Sequence, residues 1–251
     1  MSGHSKWSTI KRKKEANDAK RGKVFTRLAR EIAIAAREGG GDPNVNFTLR
    51  LAVDRAKASN MPNDNIDRAI KRGTGESKDG SSFEQITYEG YAPHGLALII
   101  EVVTDNRNRA VADIRHVLTH ANGSLGETGS VMWQFTRKAY FAFPNEGADT
   151  DAIFELAVEA GADDVDFDEE FVEITGNVEA YKGISDTLAK GKIKPQEAEL
   201  RMFPNQEMEL DPGKTLQVMK VIEDLEDLDD VQNVYSNLKI SDEAIEQLEV
   251  A

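Results

Sequence analysis

The sequence predicts an α+β protein in which an N-terminal helical bundle precedes two ferredoxin-like α/β domains, one inserted in the other. Apolar residues recur at helical spacing through the first part of the chain. A polar segment rich in Gly and Ser follows at residues 73–82, and stretches typical of strands and helices alternate beyond it. The predicted domains are residues 1–75, residues 76–137 together with 204–251, and the inserted residues 138–203.

The first long helix is predicted to bury one stripe and to expose a column of cations. At about 100° per residue, one apolar arc contains Val24, Leu28, Ile32 and Ala35. The opposite side carries Lys23, Arg27, Arg30 and Arg37. The run Gly39–Pro43 ends this helix, because glycine supplies a positive φ and proline bars continuation. Two further helices, around residues 45–56 and 62–72, complete the predicted bundle.

The next domain is predicted to begin with two strands and a helix. Phe83–Tyr91 and Gly95–Thr104 are typical of neighbouring strands joined by a turn. Asp105 is predicted to cap the following helix. After a glycine-spaced loop, Val131, Trp133 and Phe135 alternate with other residues, which predicts a third strand with Trp133 in the core.

The remaining elements predict that the third domain is an insertion. Residues 139–203 read as β-α-β-β-α-β, the split βαβ order of ferredoxin-like domains. A helix at Pro212–Leu225 and a strand at Val231–Tyr235 then remain. A helix and a strand alone cannot bury their apolar faces. We therefore expect them to complete the domain that begins at Phe83.

Charge is segregated along the chain, whose formal net charge is −14. Residues 1–72 contain 17 basic and 8 acidic residues, a net of +9, and residues 73–251 contain 14 basic and 37 acidic residues, a net of −23. A basic head on an acidic body is typical of a protein that docks a polyanion at one end only.

The basic head supplies most of the predicted nucleic-acid contacts. Clustered cations neutralise a phosphate backbone, although such a run is also typical of a solvated helix face. Trp7 either stacks on an exposed base or packs against Ile10 or Phe25. The predicted contacts in the head are Lys6, Trp7, Lys11, Arg12, Lys13, Lys14, Lys20, Arg21, Lys23, Arg27 and Arg30.

A second candidate contact is the opening turn of the helix after Asp105. Arg107 and Arg109 there oppose the helix dipole, and an anionic ligand would reverse that cost. The alternative is that they pair with nearby acids, of which the candidates are Asp105, Glu101 and Asp113. The sequence alone leaves the two interpretations open.

Composition and spacing exclude several other classes of protein. The chain has no cysteine, which excludes disulfides, thiol catalysis and cysteine-ligated zinc. His116 and His120 share a helix face but lack an evident third ligand, so no metal and no cofactor are predicted. No arrangement typical of a catalytic site is evident, so an enzyme is not expected. The apolar runs are too short to span a bilayer and no secretory signal is evident, which favours the cytoplasm.

Several motifs along the chain are specific enough to indicate a family. The most specific are the opening GHSKW at Gly3–Trp7 and the DNRNR of Asp105–Arg109. The other motifs are Lys20–Phe25, Gly39–Pro43, Tyr88–Tyr91, Gly129–Val131 and Asp224–Val231. Together these motifs resemble the YebC/PmpR family of probable transcriptional regulatory proteins. The resemblance implies a three-domain bacterial cytoplasmic protein that binds DNA and controls transcription, without a known enzymatic activity.

The same resemblance leaves the choice of polymer open. A related organellar branch is associated with translation of specific messages, and bacterial relatives with the relief of stalled ribosomes. The predicted partner is therefore DNA, with ribosomal or transfer RNA on the ribosome as the alternative. No membrane partner is expected, and the sequence does not predict the oligomeric state.

Overall fold

The fold was analysed in a computed structural model, which describes residues 18–76, 83–145, 147, 149–168, 171–241 and 243–244. Helices are followed by antiparallel sheets, so the predicted α+β class is confirmed. The described residues divide into two compact units, a smaller one formed by residues 133–207 and a larger one formed by the described residues of 18–132 and 208–244. No helix in the described ranges is both long enough and apolar enough to cross a lipid bilayer.

The elements follow one another in a simple order. The helices are α1 (Asp18–Gly39), α2 (Phe47–Ala58), α3 (Asn63–Gly73), α4 (Arg107–His120), α5 (Thr150–Glu159), α6 (Tyr181–Lys190) and α7 (Pro212–Glu226). The strands are β1 (Glu84–Tyr91), β2 (Ala97–Thr104), β3 (Ser124–Leu125), β4 (Phe135–Pro144), β5 (Ala162–Phe167), β6 (Phe171–Asn177), β7 (Glu197–Pro204), β8 (Met208–Glu209), β9 (Val231–Ser236) and β10 (Leu238–Lys239).

Helices α1, α2 and α3 pack around one apolar core. The predicted arc of α1 enters it, since Leu28, Ile32 and Ala35 are buried. Helix α1 ends at Gly39, and Gly40 adopts a φ of +85° as predicted for this run. Asn46 then joins α1 to α2. Its side-chain amide donates to the carbonyls of Ala35 (2.7 Å) and Gly40 (2.8 Å), and its Oδ1 accepts from the N–H of Leu49 (3.1 Å).

Helix α1 is also buried on a second side, which the sequence analysis missed. Ala33 and Ile34 form a separate apolar cluster with Phe83 and Val103, residues that belong to the α/β part of the same unit. All five residues from 32 to 36 are consequently buried. A helical stretch that is apolar all round is expected to be covered all round.

In the larger unit, a four-stranded antiparallel sheet has the order β3-β1-β2-β9. Helices α4 and α7 contribute Ile114, Leu118 and Val218 to a core shared with Leu98 and Ile100 of β2. Every residue of β2 is buried, so this central strand is covered on both faces. Strands β8 and β10 pair in parallel as a separate two-stranded sheet.

The smaller unit contains β4, α5, β5, β6, α6 and β7. Its sheet has the order β5-β6-β4-β7 with every neighbouring pair antiparallel, which is the strand order of a split βαβ unit. On one face, the rings of Phe141 and Tyr181 lie 4.8 Å apart. On strand β7, the guanidinium of Arg201 lies 3.9 Å from the centre of the Tyr140 ring.

The predicted strand around Val131 is wrong. Residues Met132–Gln134 form a 3-10 turn, and the side chain of Trp133 is 73% exposed rather than part of the core. The short strand β3 lies instead inside the predicted loop. The alternating pattern failed because the backbone N–H groups here are bonded to a side chain and not to a neighbouring strand.

That side chain is Glu89, a buried acid on β1. Its carboxylate accepts hydrogen bonds from the N–H groups of Gly129 (2.6 Å), Val131 (2.7 Å) and Met132 (2.7 Å). Burial acts to raise the pKa of Glu89, but the three donors outweigh it and hold the pKa below the ordinary value of a glutamate. Glu89 thereby fixes the segment through which the chain enters the smaller unit.

The predicted cap of α4 is displaced by one residue. The side chain of Asn106, and not that of Asp105, accepts the hydrogen bond from the N–H of Arg109, at 3.1 Å. Asp105 is instead engaged with the guanidinium of Arg109. Since the side chains of both residues can cap a helix, the sequence pattern does not separate them.

We expect Gly73→Ala to lower the free energy of unfolding by about 1–3 kcal/mol, as overpacked sites do. A Cβ at Gly73 would lie 2.2 Å from the carbonyl oxygen of Ala33, so α1 and α3 would have to separate. Gly22→Ala is the matched control, because a Cβ there meets nothing within 4 Å. Urea titration should show that this control is unchanged or more stable. Equal effects of the two substitutions would contradict the close approach.

We expect Glu89→Gln to lower the free energy of unfolding at neutral pH by about 1–3 kcal/mol, because an amide cannot accept all three N–H groups. The folded-state pKa of Glu89 is lowered, so its contribution is present above about pH 4.3 and is lost as the pH falls through the folded-state value. Urea titrations across this range should therefore show the gap between wild type and variant narrowing in acid.

Glu84→Gln on the same strand is the control, since Glu84 is exposed. Its stability should follow that of the wild type at every pH. The difference in unfolding free energy between wild type and Glu89→Gln could instead stay constant from neutral pH to well below about pH 4. That result would show that the charge of Glu89 is not what holds the segment.

Candidate nucleic-acid interface

The structure describes only part of the predicted contact set. Lys6, Trp7, Lys11, Arg12, Lys13 and Lys14 lie outside the described residues, and so does the predicted alternative packing of Trp7. Lys20, Arg21 and Lys23 lie on the backbone of α1, while their side chains are outside the description. The geometry of the site therefore rests on Arg27, Arg30, Arg107 and Arg109.

Arg27 and Arg30 project from α1 onto the α/β part of the same unit. The guanidinium of Arg27 donates to the carbonyl oxygen of Glu226, and that of Arg30 donates to the carbonyl oxygen of Asp229. Arg30 also forms an ion pair with the carboxylate of Asp230 at 3.2 Å, and its side chain is only 13% exposed. The expectation that this column of cations faces solvent is therefore wrong for Arg27 and Arg30.

Arg37, at the end of the same column, is exposed but also contacts the α/β part. Its guanidinium donates to the carbonyl oxygen of Phe83. Two other guanidinium groups lie over the ring of Phe83, that of Arg30 at 5.6 Å and that of Arg72 at 4.5 Å from its centre. Cations over an aromatic face are stabilised by the ring quadrupole. The start of the α/β part is thus held by three arginines of the helical part.

Asp230 is the centre of this junction. Its carboxylate accepts hydrogen bonds from Nε (3.1 Å) and Nη2 (2.8 Å) of Arg109 and from the hydroxyl of Thr104 (3.0 Å), in addition to its ion pair with Arg30. The carbonyl oxygen of Asp230 accepts from the N–H of Val103 at 2.9 Å. The Asp230 side chain is 6% exposed, so its charge is compensated almost entirely by protein groups.

For Arg109, pairing with nearby acids is what the structure shows. Nη2 of Arg109 lies 2.9 Å from Asp105, and the hydrogen bonds to Asp230 and then to Asp105 raise the pKa of Arg109. The same contact holds the pKa of the Asp105 carboxyl below its ordinary value. Of the other proposed acids, Glu101 instead accepts from the side-chain amide of Asn233 at 2.9 Å. The Arg109 side chain is still 46% exposed.

Arg107 differs from its neighbour. It is exposed at the first position of α4, and within the described ranges it forms no ion pair. A cation placed there, beside the N–H groups that open a helix, suits an anionic ligand. Arg107 is therefore the predicted contact on α4 whose side chain is available to a phosphate.

The sequence analysis missed the acidic side of the junction. The run from Glu223 to Asp230 contains six acids, and two of its residues accept hydrogen bonds from the arginines of α1. Contacts between residues about 200 positions apart leave no local pattern. The available signal was a match in charge, since the most basic and the most acidic parts of one chain attract each other.

The described residues supply no evident metal centre. The rings of His116 and His120 lie 4.3 Å apart on α4. Among the residues that the structure describes, no group of three or more His, Asp or Glu side chains is arranged to hold a metal ion.

Comparison with known proteins places the chain in a family. Residues 5–76 match the TACO1/YebC protein N-terminal domain, and residues 83–238 match the TACO1/YebC second and third domain. The chain is 50% identical over 248 residues to a "Probable transcriptional regulatory protein" of Geotalea uraniireducens, covering 99% of this chain and 100% of the relative. A protein of the same name from Syntrophus aciditrophicus is 51% identical, with 99% of each chain covered.

A solved structure is similar over most of the chain. It is the crystal structure of a conserved hypothetical protein from Aquifex aeolicus, 40% identical, with a TM-score of 0.83. The similarity covers 90% of this chain and 93% of that one. With both family domains matched in order and relatives that are similar from end to end, the chain belongs to the TACO1/YebC family, as its motifs predicted.

Proposed function

We propose that the chain is a non-enzymatic, DNA-binding transcriptional regulator of the cytoplasm whose basic N-terminal segment holds the phosphate backbone. The observation that carries this proposal is the charge segregation, with a net of +9 in residues 1–72 against −23 in the remainder. Electrostatic contact of this kind is independent of sequence and weakens with added salt. The relatives named as probable transcriptional regulatory proteins support the regulatory part.

The burial of α1 limits how the basic segment could recognise a DNA sequence. Residues 32–36 of α1 are buried on both sides, so this part of the helix has no free face to place in a major groove. The proposed interface is the set of cations that precede and open α1, together with Arg107. Any sequence preference would then come from a few side chains or from DNA shape.

The second candidate is a ribosome-associated translation factor that binds ribosomal or transfer RNA. The buried face of α1 disfavours a repressor that reads an operator through this helix, and so favours the second candidate over it. Contact with the phosphate backbone alone does not distinguish RNA from DNA. The basic head and Arg107 would then hold RNA phosphates. The acidic α/β parts would act as shaped bodies that do not bind nucleic acid themselves.

The domain organisation that accompanies this function is a proposal of the same kind. We propose a basic helical domain at 1–75, a discontinuous α/β domain at 76–137 and 204–251, and an inserted domain at 138–203. A compact unit at residues 133–207 supports the insertion. So does a sheet in which β2, before the insertion, pairs with β9, after it.

We expect a fourfold charge reversal at Lys11, Arg12, Lys13 and Lys14 to abolish measurable binding at moderate salt. Each lost phosphate contact reduces the slope of log affinity against log salt by about 0.9 for duplex DNA, so the slope should fall by up to roughly 3.6. Fluorescence anisotropy with a labelled duplex, and with an RNA of equal length, measures both quantities.

The matched control reverses the charge of four exposed lysines in the smaller unit: Lys182, Lys190, Lys192 and Lys194. This control changes the net charge equally and should keep most of the affinity. Equal losses in the two variants would mean that overall charge, and not the basic head, determines binding.

Crosslinking in cells followed by sequencing of the attached nucleic acid separates the two candidates. We expect promoter fragments if the chain is a DNA-binding regulator. A predominance of ribosomal or transfer RNA would contradict that proposal and favour the translation factor.

A further inference from the structure

The partners of the α1 arginines come from a single stretch of chain. We define the acidic segment as residues 223–230, at the end of α7 and before β9. Arg27 donates to the carbonyl oxygen of Glu226, and Arg30 binds both the carbonyl oxygen of Asp229 and the carboxylate of Asp230. The acidic segment thus engages two of the residues predicted to hold phosphates.

These contacts resemble what a phosphate backbone would offer. A main-chain carbonyl oxygen accepts from each guanidinium group, and the carboxylate of Asp230 pairs with Arg30. The segment as a whole carries six acids in eight residues. Guanidinium groups recognise carboxylates and phosphates with the same donor geometry. A nucleic-acid strand and the acidic segment would therefore bind Arg27 and Arg30 in mutually exclusive ways.

The apolar contribution at this junction is small. The buried cluster that joins α1 to the sheet consists of Ala33, Ile34, Phe83 and Val103. The helical core and the sheet core are each built from eleven or more buried residues. Charged and polar contacts consequently carry a large share of the docking, and such contacts are weakened by salt and by a competing polyanion.

We propose that the acidic segment is an internal phosphate mimic that holds α1 docked through Asp230, and that nucleic-acid phosphates compete with it for Arg27 and Arg30. This inference rests on the proposed function. Binding would undock the helical part from the sheet and bring the two arginines into the interface. A change that weakens the Asp230 contacts lowers the fraction of protein in which α1 is docked on the sheet. Such a change therefore strengthens nucleic-acid binding.

The first test compares Asp230→Asn with Asp224→Asn. Both remove one negative charge from the acidic segment, but the side chain of Asp224 is 43% exposed and pairs with Lys220 on α7. We expect Asp230→Asn to bind a short DNA duplex at least about tenfold more tightly than wild type. Its salt slope should be steeper by up to roughly 1.8, for two added phosphate contacts. Asp224→Asn should show neither change beyond the effect of one charge.

The second test keeps Asp230 and its contacts unchanged, so it does not require the Asp230 variant to fold. Because the chain has no cysteine, Thr48→Cys on α2 and Thr119→Cys on α4 give two unique labelling sites, both exposed. Spin-label distances are then measured with and without saturating DNA duplex. We expect the distance to lengthen or broaden on binding, since α2 moves with the helical part and α4 with the sheet.

The outcomes separate this inference from the function on which it rests. Tight binding with an unchanged label distance would overturn the competition while leaving nucleic-acid binding intact. An Asp230→Asn variant that folds but binds no more tightly than Asp224→Asn would overturn it as well. If neither wild type nor variant binds DNA or RNA, the proposed function fails and the inference fails with it.

Discussion

A nearly buried carboxylate shared by two arginines is the constraint on which the larger unit depends. The Asp230 side chain is only 6% exposed, so its charge is stabilised mainly by Arg30 of the helical part and Arg109 of α4. Through Thr104 and Val103 the same residue also fixes the end of β2. One side chain thereby sets where the basic helix lies, where the central strand ends and how α4 begins.

Local periodicity was enough to predict the elements whose neighbours are close in sequence. The arc of Leu28, Ile32 and Ala35, and the end of α1 at Gly39, follow from spacing and turn chemistry. The second buried side of α1 could not be predicted in this way, because Phe83 and Val103 are supplied by another part of the chain. Trp133 shows the opposite error, since an alternating pattern imitates a strand even where Glu89 takes the backbone donors.

In the candidate site, too, contacts between residues distant in sequence could not be predicted. The positively charged residues are evident from the sequence. The sequence could not predict which of them already form hydrogen bonds or ion pairs within the protein. Arg27 and Arg30 meet acceptors about 200 positions away, and Arg109 meets one about 120 positions away. The two charged parts of the chain therefore do not act as independent bodies, and the field of the basic head is partly neutralised where α1 meets the sheet.

The smaller unit begins and ends at one place, which bears on how the whole chain folds. Its first and last strands are paired, with Phe135 opposite Pro204, and the N–H of Asn205 donates to the carbonyl of Gln134 at 2.7 Å. Once this unit has formed, the flanking segments are already adjacent. Strand β9 can then find β2 without the entropic penalty of closing a long flexible loop. Formation of the smaller unit thus brings together the two segments that flank it.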